Sequence, residues 1–127
     1  MRALVTGGLG FIGTNLALQL QANNAEVKVL DNAHLGSLAN GSAFEGQIVH
    51  GDIIQIAQLF KGWYPEVIFH QAAITDTTLV DNERMFRVNV HGFRAVLDYA
   101  RAVGGKLVYA SSAGVYGANK VPMAETQ

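Results

Sequence analysis

Residues 2–13, RALVTGGLGFIG, decide the fold, because they join a short apolar strand to an apolar helix start through a run of glycines. Gly8, Gly10 and Gly13 match the pattern G-x-G-x-x-G, and Gly7 with the last two matches T-G-x-x-G-x-x-G. In such a loop an early glycine makes the turn, the middle one lets the backbone approach a diphosphate, and the last lets the helix pack closely on the strand. The amino end of the helix then attracts the phosphates. The segment predicts a dinucleotide-binding loop, and the alternative is a glycine-rich turn without a ligand.

Composition excludes several other classes of protein. The length of 127 residues predicts one domain over residues 1–127. A net charge of −1 with 15% charged residues gives no electrostatic case for nucleic acid or an anionic membrane surface. The absence of cysteine excludes disulfides, thiolate zinc sites and a catalytic cysteine, and the histidines lack metal-ligand spacing, so no metal is expected. Without a membrane-spanning apolar run or a signal-peptide layout, the sequence predicts a soluble, cytoplasmic protein.

Strand and helix patterns alternate along the rest of the chain. Such alternation predicts right-handed crossovers and a parallel α/β sheet of about five strands, with ligands at the carboxyl ends of the strands. After the first strand, the predicted elements are strands at 26–31, 47–50, 66–70 and 106–110, a brief helix over 54–61 and a longer helix within 79–102.

Two helices show apolar residues at helical spacing, which predicts that each buries one stripe. In the first helix the stripe is Ile12, Leu16 and Leu20, and in the longer helix it is Phe86, Val90, Phe93, Leu97 and Ala100.

Asp31 ends the second predicted strand, at the distance after the glycine loop where an acid contacts ribose. A carboxylate there accepts both hydroxyls of an adenosine ribose and repels a 2′-phosphate. No lysine or arginine lies between Lys28 and Lys61, so a 2′-phosphate would lack a cationic partner nearby in sequence. The segment therefore predicts NAD as cofactor and disfavours NADP. The alternative is an ordinary strand-ending or helix-capping aspartate.

Polar or small residues also follow the other strands. Asp52, after the third, could contact an adenine edge or act as a helix N-cap, and the two roles can coexist. Residues 71–73 (QAA), after the fourth, offer flat access to a cofactor, and residues 111–112 (SS), after the fifth, place hydroxyls near its reactive end.

These motifs, in their order, resemble an extended short-chain dehydrogenase/reductase of the NAD-dependent nucleotide-sugar epimerase/dehydratase branch. The motifs are TGGLGFIG, Asp31-Asn32, Gly51-Asp52-Ile53, His70-Gln71-Ala72-Ala73, Asn89-Val90-His91-Gly92 and YASSAGVYG. IFHQAAITDTT and YASSAGVYG are most similar to ADP-heptose epimerases and UDP-galactose 4-epimerases, without choosing between them. The resemblance implies a Rossmann-type doubly wound parallel sheet.

The resemblance also implies a role for each matching residue. Ser112 matches the family's catalytic Ser/Thr, and Asn89 matches an asparagine that braces the active site, the alternative being an ordinary polar helix residue. Thr75 and Thr78 stand where substrate or nicotinamide-ribose contacts would fall, or in a solvated Thr-rich loop. The expected cofactor-binding residues are Gly7, Gly10, Phe11, Ile12 and Gly13 for the pyrophosphate, Asp31 and Asn32 for the ribose, Asp52 and Ile53 for the adenine, and Gln71, Ala72, Ala73 and Asn89 further along the cofactor.

In the family a tyrosine, its pKa lowered by a lysine, removes a sugar hydroxyl proton while hydride passes to the nicotinamide. Tyr116 and Lys120 fit this Y-x-x-x-K spacing, but Tyr116 follows Ser112 by only four residues. We therefore expect that they are not the catalytic pair. Glu125 resembles a glutamate that precedes the true catalytic helix, so the chain is expected to stop before its base, without the family's later strands and C-terminal substrate domain.

Two functions follow from this interpretation. The chain is the NAD-binding part of a nucleotide-sugar epimerase or dehydratase, inactive by itself, or it is a non-catalytic NAD-binding module or sensor. In the first case a nucleotide sugar is the substrate of the full-length protein. The fifth strand is expected to form a bare sheet edge, which predicts a homo-oligomer.

Overall fold

The fold is given by a computed structural model that describes residues 1–34, 36–76, 78, 81–118 and 124–125. Its strands form one sheet in the order β3-β2-β1-β4-β5, and every neighbouring pair is parallel. The prediction of a parallel α/β sheet is therefore confirmed. The strands are β1 (Arg2–Thr6), β2 (Glu26–Asp31), β3 (Gln47–His50), β4 (Val67–His70) and β5 (Lys106–Tyr109).

The helices are short and lie between the strands in sequence. A π-helical turn, Arg87–Gly92, joins α3 to α4, so the longer predicted helix is interrupted. The α-helices are α1 (Phe11–Ala22), α2 (Ile56–Leu59), α3 (Asn82–Phe86) and α4 (Phe93–Val103), with 3₁₀ turns at Leu38–Gly41, Ile53–Gln55 and Ala113–Tyr116.

The central strand β1 is covered on both faces. One core cluster joins Ala17 of α1 to Val5 and Val29, and the other joins Val96 of α4 to Leu4. A parallel strand buried on both faces is continuously apolar rather than alternating, which explains the run that precedes the glycines. Because β1 lies between β2 and β4, the carboxyl ends of these strands meet, with the glycine turn in the middle.

The predicted apolar stripes are wrong at their amino ends. Phe86 is 56% exposed and Val90 is 46% exposed, whereas Val96 is fully buried. The reason is that the helix approaches Ile53 through Gly92, where a Cβ atom would lie 2.4 Å from the Ile53 Cδ1 atom. The face that carries Gly92 therefore turns inward together with Val96 and Tyr99, and Phe86 and Val90 face outward.

Helix α1 also packs closely through a glycine, and its predicted apolar stripe is likewise wrong at the amino end. Ile12, expected in the buried stripe, is 63% exposed. The buried residues of α1 are Gly13, Thr14 and Ala17. Close packing through Gly13 thus leaves the first turn of α1 open at the carboxyl edge of the sheet.

Within the described ranges, no helix is long and apolar enough to cross a membrane. The same residues contain no group of three or more histidine, aspartate or glutamate side chains placed to hold a metal ion.

Candidate functional site

A cleft of about 530 Å³ lies at the carboxyl edge of the sheet. Its volume is in the range of small-molecule sites, about 300–1,000 Å³. It lies where the chain departs from β1 toward one face and from β4 toward the other, which is where α/β sheets bind ligands. The residues of the sequence prediction that line it are Gly7, Gly10, Phe11, Ile12, Gly13, Asp31, Asn32, Asp52, Ile53, Gln71, Ala72, Ala73 and Thr75.

The glycine turn needs glycine at different positions for different reasons. Gly7 has a φ of +68°, which L side chains rarely adopt, and its N–H donates to the Leu30 carbonyl at 2.8 Å. A Cβ atom at Gly13 would lie 2.1 Å from the Gly7 carbonyl oxygen, so any side chain there would push α1 away. A Cβ atom at Gly10 would meet nothing closer than 3.4 Å. The fold thus requires glycine at positions 7 and 13, while the space beside Gly10 belongs to the cleft.

The amino end of α1 opens into this cleft without a protein partner in the described residues. Gly10 is the N-cap, no side chain caps the helix, and the first turn contains no acid. Uncapped N–H groups and the positive end of the helix dipole favour an anion. The glycine turn and the start of α1 therefore suit the diphosphate of a dinucleotide.

Asp31 is buried and ties the end of β2 to the glycine turn. Its Oδ2 accepts the Leu9 N–H at 2.9 Å, and its Oδ1 accepts the Ala33 N–H at 2.7 Å. Each carboxylate oxygen has a further acceptor site, so the side chain can cap this turn and also accept from a ribose. Asn32 accepts the His34 N–H at 3.1 Å, and together these bonds hold Ala33 at a φ of +56°. This hydrogen-bonded turn forms the end of the cleft beside β2.

Asp52 is a helix N-cap, as one of its two predicted roles requires, and it is also a residue of the cleft. Its Oδ1 accepts the Ile54 N–H at 3.0 Å, so it is the N-cap of the turn Ile53–Gln55. It also lines the cleft, next to Ile53, which is 5% exposed and belongs to the core.

A buried polar pair supports the segment after β4. The Thr6 hydroxyl lies 2.7 Å from the His70 Nδ1 atom, and the Ala72 N–H donates to the same hydroxyl at 3.3 Å. Burial lowers the pKa of His70 to about 4, so the ring is neutral at pH 7. In a neutral ring Nδ1 can accept the proton of the Thr6 hydroxyl, while the oxygen of the same hydroxyl accepts the Ala72 N–H. The pair therefore positions residues 71–73 against the glycine turn.

Asn89 lies in the π-helical turn and does not line the cleft. Its Oδ1 accepts the Ile74 N–H at 2.8 Å, and its Nδ2 donates to the Ile74 carbonyl at 2.9 Å. In this way Asn89 braces the loop that follows residues 71–73.

Two further predicted residues lie away from the cleft lining. The Ser112 hydroxyl accepts the Gly114 N–H at 3.1 Å and caps the turn Ala113–Tyr116 at the end of β5. The Thr78 hydroxyl donates to Asp76 at 2.6 Å, and this bond lowers the pKa of the Asp76 carboxyl. Lys120, the last residue of the Y-x-x-x-K match, lies outside the described residues.

Two arginines that the sequence did not predict as site residues, Arg84 and Arg87, line the cleft from α3 and the π-helical turn. Cations that mark a 2′-phosphate site are expected in the stretch after Asp31, and these two arginines lie well beyond that stretch. The available signal was a pair of arginines three residues apart, which places both on one face of a helix near its amino end.

Comparison with known proteins gives the chain a family. The model of the NAD dependent epimerase/dehydratase family matches residues 3–127. The UDP-N-acetyl-alpha-D-glucosaminuronate decarboxylase of Bacillus cytotoxicus is 34% identical over 132 residues, with 98% of this chain and 40% of that protein covered.

Solved structures agree with this match. The Helicobacter pylori ADP-L-glycero-D-manno-heptose-6-epimerase superposes with a TM-score of 0.87 and 39% identity, covering 98% of this chain and 43% of that one. The complex of the Thermus thermophilus UDP-glucose 4-epimerase with NAD gives a TM-score of 0.88 and 34% identity, covering 99% and 43%. The chain thus spans about two fifths of the length of these proteins.

Proposed function

The chain belongs to the NAD-dependent epimerase/dehydratase family, and we propose that it forms the NAD-binding part of an enzyme that modifies a nucleotide sugar. One observation carries the proposal: the uncapped amino end of α1, the glycine turn and Asp31 meet in one cleft. The first two match a diphosphate and the third matches a ribose diol. The relatives include a decarboxylase of a UDP-sugar and two epimerases, so the proposal names the substrate class and not one reaction.

In this proposal each part of the cleft has a separate task. The open space beside Gly10 leaves room for the diphosphate, Gly7 and Gly13 shape the turn, and Asp31 accepts the adenosine hydroxyls and disfavours a 2′-phosphate. Asp52 and Ile53 border the adenine. When bound, NAD supplies the hydride acceptor for oxidation of a sugar hydroxyl.

Residues beyond the cofactor cleft belong to the same proposal. Ser112 orients the sugar oxygen through its hydroxyl, and Thr75 and Thr78 contact substrate or the nicotinamide ribose. Tyr116 and Lys120 are not the proton-transferring pair, because they stand too near Ser112 in sequence to converge on the same oxygen from another element.

A non-catalytic NAD-binding module is the second candidate. The position of Ser112, outside the cleft lining and engaged in a turn cap, favours it for the chain by itself. A turnover assay with UDP- and ADP-sugars, made on the full-length protein, separates the two candidates: turnover supports the enzyme, and tight NAD binding without turnover supports the module.

The cofactor proposal is tested by isothermal titration calorimetry with NAD and NADP. We expect the parent chain to bind NAD more tightly than NADP. Asp31→Asn should weaken NAD binding at least about tenfold, since a hydrogen bond to a charged acceptor is worth roughly 1.5–3 kcal/mol. Asp98→Asn, at an exposed carboxylate paired with Arg94 on α4, is the matched control and should bind NAD normally. Tighter binding of NADP than NAD by the parent chain would contradict the proposal.

We further propose that the protein is a cytoplasmic homo-oligomer. Among the described residues, Phe86 is 56%, Val90 is 46% and Tyr109 is 54% exposed. Apolar surface of this kind favours association. Size-exclusion chromatography with light scattering should show a dimer or larger species, and a stable monomer at high concentration would contradict this. Cell fractionation checks the location.

A further inference from the structure

We propose that Arg84 and Arg87 bind the diphosphate of the dinucleotide from the wall of the cleft that faces the glycine turn. This inference rests on the proposed NAD binding and adds a second wall to that site. Both residues line the cleft, and both are exposed. Neither residue belongs to the glycine-loop pattern, and neither is close in sequence to the aspartate that ends β2.

The topology places these arginines at the correct edge of the sheet. α4 ends at Val103, and the chain then enters β5 at Lys106, whose N–H donates to the Glu66 carbonyl just before β4. The carboxyl end of α4 therefore lies at the amino edge of the strands. α3 and the π-helical turn, at the other end of the same helical segment, must lie at the carboxyl edge, where the glycine turn is.

The same packing places the two walls on opposite faces of the sheet. α1 belongs to the core cluster of Val5 and Val29, whereas Val88, next to Arg87, packs against the cluster of Leu4 and Ile53. The cleft thus opens between the first turn of α1 and the segment that carries the arginines. A diphosphate bound at the amino end of α1 would have this segment on its other side.

The distribution of charge supports an anion at this place. Among the residues that line the cleft, the carboxylates are Asp31 and Asp52, at the proposed adenosine end, and the arginines are Arg84 and Arg87. Within the part of the chain that the structure describes, neither arginine forms an ion pair with a carboxylate. Guanidinium groups that face solvent in a cleft match phosphate oxygens in charge and in hydrogen-bond geometry.

Two of the acids nearest in sequence are engaged elsewhere. Asp81 caps α3 by accepting the Arg84 N–H at 2.9 Å, and Asp76 accepts from Thr78. Neither of these nor Glu83 lines the cleft. The glycine turn itself has no charged side chain, so the arginines supply the positive charge that the helix dipole supplies only in part.

Both the dinucleotide and a nucleotide-sugar substrate carry a diphosphate ester. The dinucleotide is favoured, because the arginines share one cleft with the glycine turn and Asp31. Calorimetric titrations with NAD, NADP, ADP-ribose, adenosine and UDP-glucose distinguish these sources. The variants are Arg84→Gln, Arg87→Gln and the double variant, and the control is Arg94→Gln, at a 74% exposed side chain on α4.

We expect the double variant to bind NAD and ADP-ribose at least about tenfold more weakly, with a smaller dependence on salt, while adenosine binding is unchanged. Equal losses for adenosine would overturn the proposal, because the arginines would then contact the nucleoside. A loss confined to NADP would assign them to a 2′-phosphate, and a loss confined to UDP-glucose would assign them to the substrate. Unchanged NAD binding in the double variant would also overturn it, whereas a parent chain that does not bind NAD would refute the proposed function instead.

Discussion

At the scale of single residues, two glycines near the first turn have different tasks, one in folding and the other in the proposed binding. Gly13 is needed because the backbone of Gly7 occupies the space where its side chain would be. Gly10 has a φ of −78°, which alanine adopts without strain, and its open side faces the cleft. The two positions therefore respond differently to the same substitution.

Gly10→Ala should leave stability within about 1 kcal/mol, because alanine fits the backbone and restricts the unfolded chain. It should lower NAD affinity at least about tenfold, since the new methyl group would occupy the proposed place of the diphosphate. Gly13→Ala should instead destabilise the fold by more than about 2 kcal/mol through the clash with Gly7. Chemical denaturation and NAD titration measure both effects. A Gly10→Ala variant that binds NAD normally would contradict this assignment.

The buried pair of His70 and Thr6 gives a second prediction at this scale. The pKa of His70 falls from 6.5 to about 4 because burial disfavours the charged ring. The neighbours of the ring include the Thr6 hydroxyl and the aromatic ring of Phe93, and neither carries a negative charge. The fold therefore prefers the neutral form of His70.

Because the unfolded chain takes up a proton on His70 more readily than the folded protein does, acid favours unfolding. The fold has its full stability above pH 6.5 and loses stability as the pH falls from 6.5 toward 4. The loss should approach about 3 kcal/mol, from roughly 1.4 kcal/mol per pKa unit. Urea denaturation between pH 4 and 7 measures it. His70→Asn should flatten the profile, whereas His50→Asn, at an exposed position, should not. A parent profile that His70→Asn leaves unchanged would argue against this account.

At the scale of elements, both long helical segments pack through a glycine against a turn that follows a strand. Gly13 brings α1 against the first turn, and Gly92 brings the π-helical turn against Ile53. Close approach by small residues turns the neighbouring apolar side chains away from the sheet. The buried face of each segment then includes its glycine, and the longest apolar stripe alone does not decide it.

Two valines on the same helical segment test this rule. Val96→Ala should destabilise by about 2 kcal/mol, because Val96 is fully buried and the lost methyl groups leave a cavity. Val90→Ala should cost less than about 0.5 kcal/mol, because Val90 is 46% exposed. Equilibrium denaturation of both variants gives the comparison. Similar losses of stability in the two variants would contradict this account and support the apolar stripe that the sequence predicted.

At the scale of the whole molecule, the cleft is assembled from loops that follow four different strands. Gly7 follows β1, Asp31 ends β2, Asp52 follows β3 and Ala72 follows β4. Bonds across the cleft floor connect these loops, such as Leu9 to Asp31. A dinucleotide would contact several of them at once, so its binding is coupled to the folding of the sheet.

NAD at one hundred times its dissociation constant should therefore raise the free energy of unfolding by about 2.7 kcal/mol. Thermal unfolding with increasing NAD measures this as a concentration-dependent rise in the midpoint. NADP at the same concentrations should give a smaller rise, because in our proposal the Asp31 carboxylate repels a 2′-phosphate. Equal rises with both nucleotides would show that Asp31 does not select between them.

The local patterns in the sequence determined much of this protein. Glycine spacing after an apolar run, and an acid at the end of the next strand, predicted the parallel sheet and a dinucleotide site. These signals are local because a tight turn, a strand and a helix start each depend on a few neighbouring residues. For this reason the predicted residues from Gly7 to Ala73 lie in one cleft.

Only the tertiary structure decided which parts of distant elements face each other. It turned Phe86 and Val90 outward, left Ser112 outside the cleft lining and brought Arg84 and Arg87 into it. Those outcomes depend on how closely each helix packs on the sheet, which is set by contacts between residues far apart in sequence. Helical periodicity gives the faces of a helix, but the partner surface chooses among them.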